Sequence, residues 1–110
     1  MFQTVIPSKL GLAALTTSAA AIVTVPDLAR AFVKTIDVCN TTAGPLTFDL
    51  YLVPDGETAG TDNALAYQVS LGANSLFQWT GTQILDAGDT IQAKASAVGI
   101  TVHVSGGVAV

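Results

Sequence analysis

Wherever this chain is regular, its side chains alternate with a period of two, and turn residues cut each run before it outgrows a strand. In residues 90–97, Ile91, Ala93, Ala95 and Ala97 fall on one side, with Thr90, Gln92, Lys94 and Ser96 on the other. Ile100, Val102 and Val104 then alternate with Thr101, His103 and Ser105. Upstream, Leu46, Phe48, Leu50 and Leu52 alternate with Thr47, Asp49, Tyr51 and Val53. In residues 31–39 the same rule puts Phe32, Lys34, Ile36 and Val38 on one face and Thr35, Asp37 and Cys39 on the other. Such alternation is the mark of half-solvated antiparallel strands. No segment between these runs carries a convincing helical period.

The punctuation has a mechanism. Asn40-Thr41-Thr42-Ala43-Gly44-Pro45, Pro54-Asp55-Gly56, Leu71-Gly72-Ala73-Asn74 and Asp86-Ala87-Gly88-Asp89 all supply residues that favour tight turns. About seven to nine short strands at this spacing predict an all-β fold, a single antiparallel β-sandwich of immunoglobulin-like or jelly-roll type. Periodicity alone does not choose between the two. With 110 residues there is room for one such domain, expected over residues 9–110. Residues 54–63, PDGETAGTDN, form the longest polar connection and the most exposed one expected. Residues 1–8, MFQTVIPS, precede the first regular strand, and their Phe2, Val5 and Ile6 suit an extended arm lying across a neighbouring subunit by strand addition. The alternative is a frayed terminus. The following stretch, KLGLAALTTSAAAIVTVP, has the charge and apolar run of a signal peptide, but Thr16-Thr17-Ser18 divides it into two pieces of strand length. It is also too interrupted for a membrane-spanning helix.

Composition narrows the function. Only 11% of the residues are charged, against about a quarter in typical soluble domains. A surface so short of charge is expected to be covered by copies of the same chain or by another protein. A net charge of −4, with Lys9, Arg30, Lys34 and Lys94 as the side-chain cations, gives no basic stripe for nucleic acid. One cysteine, Cys39, rules out an internal disulfide, and one histidine, His103, has no partner at motif spacing, so neither nucleophilic nor acid–base catalysis is expected. Asp55, Glu57 and Asp62 match no calcium-loop spacing and read as solvated loop acids; no metal and no cofactor is expected. Phe77 and Trp79 share one side of a strand and serve either the core or a contact between subunits. Tyr51 and Tyr67 are open in the same way, and exposed aromatics of this kind would suit a sugar platform.

Four segments in order, LTTSAAAIVTVP (15–26), IDVCNTTAGPLTFDLYLVPDG (36–56), NALAYQVSLGANSLFQWTG (63–81) and LDAGDTIQAKAS (85–96), give the chain a resemblance to small β-sandwich virion accessory proteins of tailed bacteriophages. The matching signatures are Thr24-Val25-Pro26, Asn40-Thr41, Leu52-Val53-Pro54-Asp55-Gly56 and Gly88-Asp89-Thr90-Ile91-Gln92-Ala93. The chain departs from that group at Asp27-Leu28-Ala29-Arg30, where a Gly/Lys turn is common. The resemblance implies a non-enzymatic structural protein of the virion, made in the host cytoplasm. It would be a capsid decoration or cement protein that binds the major capsid protein as a homo-oligomer, a trimer above all, with neither nucleic acid nor membrane as partner. The alternative it implies is a module of the tail, neck or fibre, one that could contact host glycan.

Overall fold

A computed structural model of the chain describes residues 5–109, and among them eight strands form: β1 (Val5–Ala14), β2 (Ala20–Thr24), β3 (Arg30–Asn40), β4 (Leu46–Val53), β5 (Ala64–Leu71), β6 (Leu76–Leu85), β7 (Thr90–Ala95) and β8 (Ile100–Ala109). A single 3-10 turn over Thr61–Asn63 packs back against β4. The all-β sandwich expected from the alternation is present. Its strands pair in nested fashion, β1 with β8, β2 with β7, β3 with β6 and β4 with β5, all antiparallel. Pairing of β3 with β8 and of β4 with β7 then completes two four-stranded sheets, of order β1-β8-β3-β6 and β2-β7-β4-β5. Apart from β4 to β5, every connection crosses from one sheet to the other. This is one long hairpin wound up on itself, which makes the sandwich a jelly roll and settles the topology that periodicity left open.

The core lies between the sheets and is made of the alternating positions. Ile91, Ala93 and Ala95 of β7 and Ile100, Val102 and Val104 of β8 are buried as their alternation requires, while Ala97 lies beyond the end of β7 and is exposed. In β3 the expected face is wrong for its first half. Pairing shifts between Val33 and Thr35 against both neighbouring strands: Lys34 is an extra residue against β8, while on β6 two residues, Gly81 and Thr82, stand opposite it, and the inward set changes from Ala31 and Val33 to Ile36 and Val38. A strand bulge of one residue reverses every side chain on one side of it. Phe32 therefore lies outside the core, with its ring over Gly107, and the Lys34 ammonium donates to the Thr82 hydroxyl at 2.9 Å. The bulge also brings main chain onto main chain: a Cβ on Gly106 would stand 2.9 Å from the Phe32 carbonyl carbon.

Residues 5–8 of the expected arm are the opening of β1, with Val5, Ile6, Pro7 and Ser8 opposite Ala109, Val108, Gly107 and Gly106 of the same chain. Phe2 lies outside the described residues. In residues 54–63, Ala59, Gly60 and Asn63 are half-buried rather than fully exposed, and Tyr51 and Val53 are buried on the side of β4 that alternation had assigned to solvent.

Each end of the sandwich is closed by one buried or half-buried polar side chain. At one end Asn40, fully buried, donates its amide to the carbonyls of Gly44 (2.9 Å) and Leu71 (3.0 Å). Its side-chain oxygen accepts from the Thr42 N–H (2.9 Å) and hydroxyl (2.7 Å). At the other end the Asp89 carboxylate accepts from the N–H groups of Asp55 (3.0 Å) and Asp86 (2.9 Å), while its own carbonyl accepts from Val25. Asn40→Ala would strand the Leu71 carbonyl and the Thr42 N–H and leave the Gly44 carbonyl to the Thr42 hydroxyl, and at about 1–3 kcal/mol for each unsatisfied buried group a loss of about 2 kcal/mol or more is expected. It would be read as a lower urea midpoint at unchanged slope. Gly106→Ala forces main-chain separation at the bulge; the expected cost of about 2 kcal/mol would lower Tm by roughly 10 °C.

Candidate functional site

The local sequence of β4 and β5 builds a polar pocket on the outer side of the β2-β7-β4-β5 sheet. Phe48 pairs with Val69 and Leu50 with Ala66, so two residues, Tyr67 and Gln68, stand opposite the single Asp49. This bulge twists the edge of the sheet and turns Gln68 to a φ of 51°, which residues other than glycine seldom adopt. The Gln68 N–H, lost to the ladder, donates instead to one oxygen of the Asp49 carboxylate at 2.7 Å. The other oxygen accepts the Tyr51 hydroxyl at 2.8 Å and lies 3.8 Å from the Lys94 ammonium. Asp49 is 6% exposed, whereas the Lys94 side chain reaches out at 43%.

Around this carboxylate four segments enclose about 280 Å³. The turn between β1 and β2 contributes Thr17, β4 contributes Thr47 to Asp49, the β5 bulge contributes Tyr67 and Gln68, and the end of β7 contributes Lys94 to Ser96. Reciprocal bonds, the Thr47 N–H to the Ser96 hydroxyl and the Ser96 N–H to the Thr47 carbonyl, hold two of these walls together. Burial pushes the Tyr51 phenol up to about 12, helped by its hydrogen bond to the Asp49 carboxylate, by that group's charge and by Tyr67. The pocket can therefore offer hydrogen-bond donors and acceptors together, with an ion pair that leaves no net charge.

Residues singled out from sequence are dispersed. The aromatic rings of Phe77 and Trp79, on the edge strand β6, both turn inward and lie half-buried against the core; Phe77 meets Phe48 at 5.2 Å between ring centres. The apolar side chains that β6 leaves outside are Leu76 and Ile84. His103 is exposed on the outer side of the other sheet, in register with Leu12 and Asp37, and Cys39 is half-buried one row further along. The Asp37 carboxylate accepts from the Gln78 amide at 2.9 Å. Among the described residues no three His, Cys, Asp or Glu side chains converge as a metal site would need. Asp55 sits over Gly88, while Asp62 sits by Gly60. No helix among the described residues is long and apolar enough to cross a membrane.

Asp49, Gln68 and Lys94 were not singled out from sequence. Alternation puts Asp49 on a solvent face, and the pairing that carries it beneath a bulge depends on register between strands far apart in the chain. The paired residues Asp49 and Tyr51 on one face of a strand are the one local sign.

No family model matches the chain, and no curated protein matches it. A chain from the structure of infectious bursal disease virus Gx strain is similar over 96% of this chain and 32% of its own length, at 14% identity and a TM-score of 0.37. At that score the likeness bears on neither fold nor function.

Because the Tyr51 phenol binds its proton more tightly folded than unfolded, its contribution to stability is constant below pH 10 and declines as pH rises towards about 12. In Tyr67→Phe, which leaves Tyr51 as the chain's remaining tyrosine, near-ultraviolet tyrosinate absorbance is expected to rise with a midpoint near 12 while the protein remains folded. A midpoint near 10 would contradict the burial.

Proposed function

We propose that this chain is a structural protein of a virus particle, a small decoration subunit that packs as an oligomer on a shell of major capsid protein and stiffens it. The observation that carries this reading is the outer face of the β1-β8-β3-β6 sheet. Among the described residues nothing covers it, and its two ends carry exposed apolar side chains: Val5 and Ile84 towards one, Leu12 and Leu76 towards the other. Between them run polar rows, Lys9, Ser105, Thr35 and Thr80 in one and His103, Asp37 and Gln78 in another. Covering the apolar ends of this face stabilises a contact, since each Å² of apolar area removed from water is worth about 25 cal/mol before association costs, and the polar rows between them can pair with a partner.

The jelly roll supports the reading without proving it, since viral capsid subunits, lectins and other proteins share that topology. The resemblance of the strand-end signatures to tailed-phage accessory proteins supports the narrower assignment to a phage capsid surface. A trimer is favoured because a small subunit seated on a shell is well placed to cluster about its local threefold axes. With no convergent catalytic group among the described residues, packing is the function best supported by the geometry.

The test is a count: quantitative mass spectrometry of purified particles, giving copies of this protein per copy of major capsid protein. Near-equal copy numbers are expected. A handful of copies per particle would instead favour the tail, neck or fibre. In parallel, Leu12→Glu combined with Leu76→Glu is expected to abolish self-association and shell binding while leaving Tm within a few degrees, because both side chains are more than half exposed.

A further inference from the structure

We infer that the pocket around Asp49 is a binding site for a single neutral sugar unit, a site on the sheet opposite to the packing face and independent of it. Three features lead there. First, the polar groups are balanced. The Asp49 carboxylate keeps acceptor capacity beyond its bonds to Gln68 and Tyr51, and the Lys94 ammonium keeps free donors. Their separation of 3.8 Å is too long for a direct hydrogen bond and short enough for one hydroxyl to bridge, donating to the carboxylate and accepting from the ammonium. An anion or a cation would find one member of the pair repelling it; a hydroxyl satisfies both.

Second, the wall opposite adds more groups of the same kind. The hydroxyls of Thr47 and Ser96 line the pocket, and the Tyr67 ring, about half exposed, stands at its rim as a flat apolar surface for the C–H face of a pyranose. A volume of about 280 Å³ lies just below the range for drug-sized ligand sites, roughly 300–1,000 Å³, and suits one ring rather than an extended ligand.

Third, the geometry is held at a cost. Gln68 stays in the left-handed region, where a residue with a Cβ is disfavoured by about 1–2 kcal/mol, and the bond that keeps it there ends on Asp49. Backbone strain sustained by a buried carboxylate on the floor of a pocket is the arrangement seen where a site is pre-organised. The bulge holds Tyr67 at the rim and Asp49 on the floor together, and either group alone would be an ordinary feature of a sheet.

The test is a nuclear magnetic resonance titration of the ¹⁵N-labelled chain with methyl glycosides of glucose, galactose, mannose and N-acetylglucosamine, with inorganic phosphate and N-acetylneuraminic acid as anionic comparisons. At least one neutral glycoside is expected to shift the amide signals of Thr47, Tyr67, Gln68 and Ser96 saturably, with millimolar affinity. Tyr67→Ala and Lys94→Met, both at solvent-accessible side chains, are expected to weaken the response at least tenfold while keeping the remaining spectrum. Oligosaccharides of the responding sugar distinguish the source. Tighter binding than the monomer marks a chain-terminal or internal unit of a glycan, and equal binding marks a free sugar. The inference is overturned if no neutral glycoside gives saturable shifts, if the shifts lie elsewhere or persist in Tyr67→Ala, or if phosphate or the sialic acid binds more tightly. Leu12→Glu with Leu76→Glu should bind sugar as the parent chain does, so failure here and failure of the capsid assignment are separate results.

Discussion

The wound hairpin depends on closing its corners, and the Asn40 side chain closes the most demanding one. A chain leaving β3 must cross to the opposite sheet within five residues to begin β4, beside the turn that carries β5 into β6. That crossing drives main-chain carbonyls of Gly44 and Leu71 and the N–H of Thr42 into a region with no strand to pair them. An amide is the one neutral side chain that both donates twice and accepts twice, and Asn40 meets all these groups with no exposure to water. The opposite corner is tied less deeply by Asp89, which joins the ends of β2 and β4 to the turn before β7. Between these fastenings the sheets need little more than alternating apolar residues.

The strand-end signatures behind the phage resemblance fall on these two corners. Asn40-Thr41 lies at one; Val25, Asp55 and the Gly88-Asp89 pair meet at the other. Gly88, at a φ of 87°, leaves no room for a Cβ beneath the Asp55 carboxylate, so the Pro-Asp-Gly end of β4 and the Gly-Asp turn are shaped against each other. The signatures thus describe how a jelly roll of this size is fastened. They say less about what its faces touch, which is why the fold follows from them more firmly than the place in a particle.

How far the chain could be read in advance follows from the range of the forces involved. Alternation in β7 and β8 was legible because the extra residues at their register shifts, Ile22, Leu10 and Lys34, lie on the partner strands and leave β7 and β8 themselves regular. In β3 it was legible only beyond Lys34, since a bulge is set by partners on β6 and β8 that local pattern does not name. Jelly roll and immunoglobulin-like topologies have the same strands and the same turns, and differ in which distant strands pair. The Asp49 pocket was invisible for the same reason. Its carboxylate, ammonium and bulge come from β4, β7 and β5, and only Tyr51 two residues on distinguishes Asp49 in sequence from Asp37, which sits on an open face with a glutamine for partner.

The division of labour between the two sheets bears on the low overall charge. A polar, partly buried site sits on the β2-β7-β4-β5 side, where Asp49 and Lys94 account for one charge of each sign. The β1-β8-β3-β6 side carries Lys9, Lys34 and Asp37 along its strands and Arg30 at one end, and leaves apolar side chains outward at both ends. A subunit that rests on a shell through the second face turns the first towards solvent, where a small hydroxylated ligand can reach it. Reversing the orientation would bury an ion pair whose desolvation costs several kcal/mol per charge and leave Leu12, Leu76 and Ile84 in water. The orientation therefore follows from the outward apolar side chains, and Lys9, Lys34 and Asp37 on the same face require polar partners on the surface that covers it.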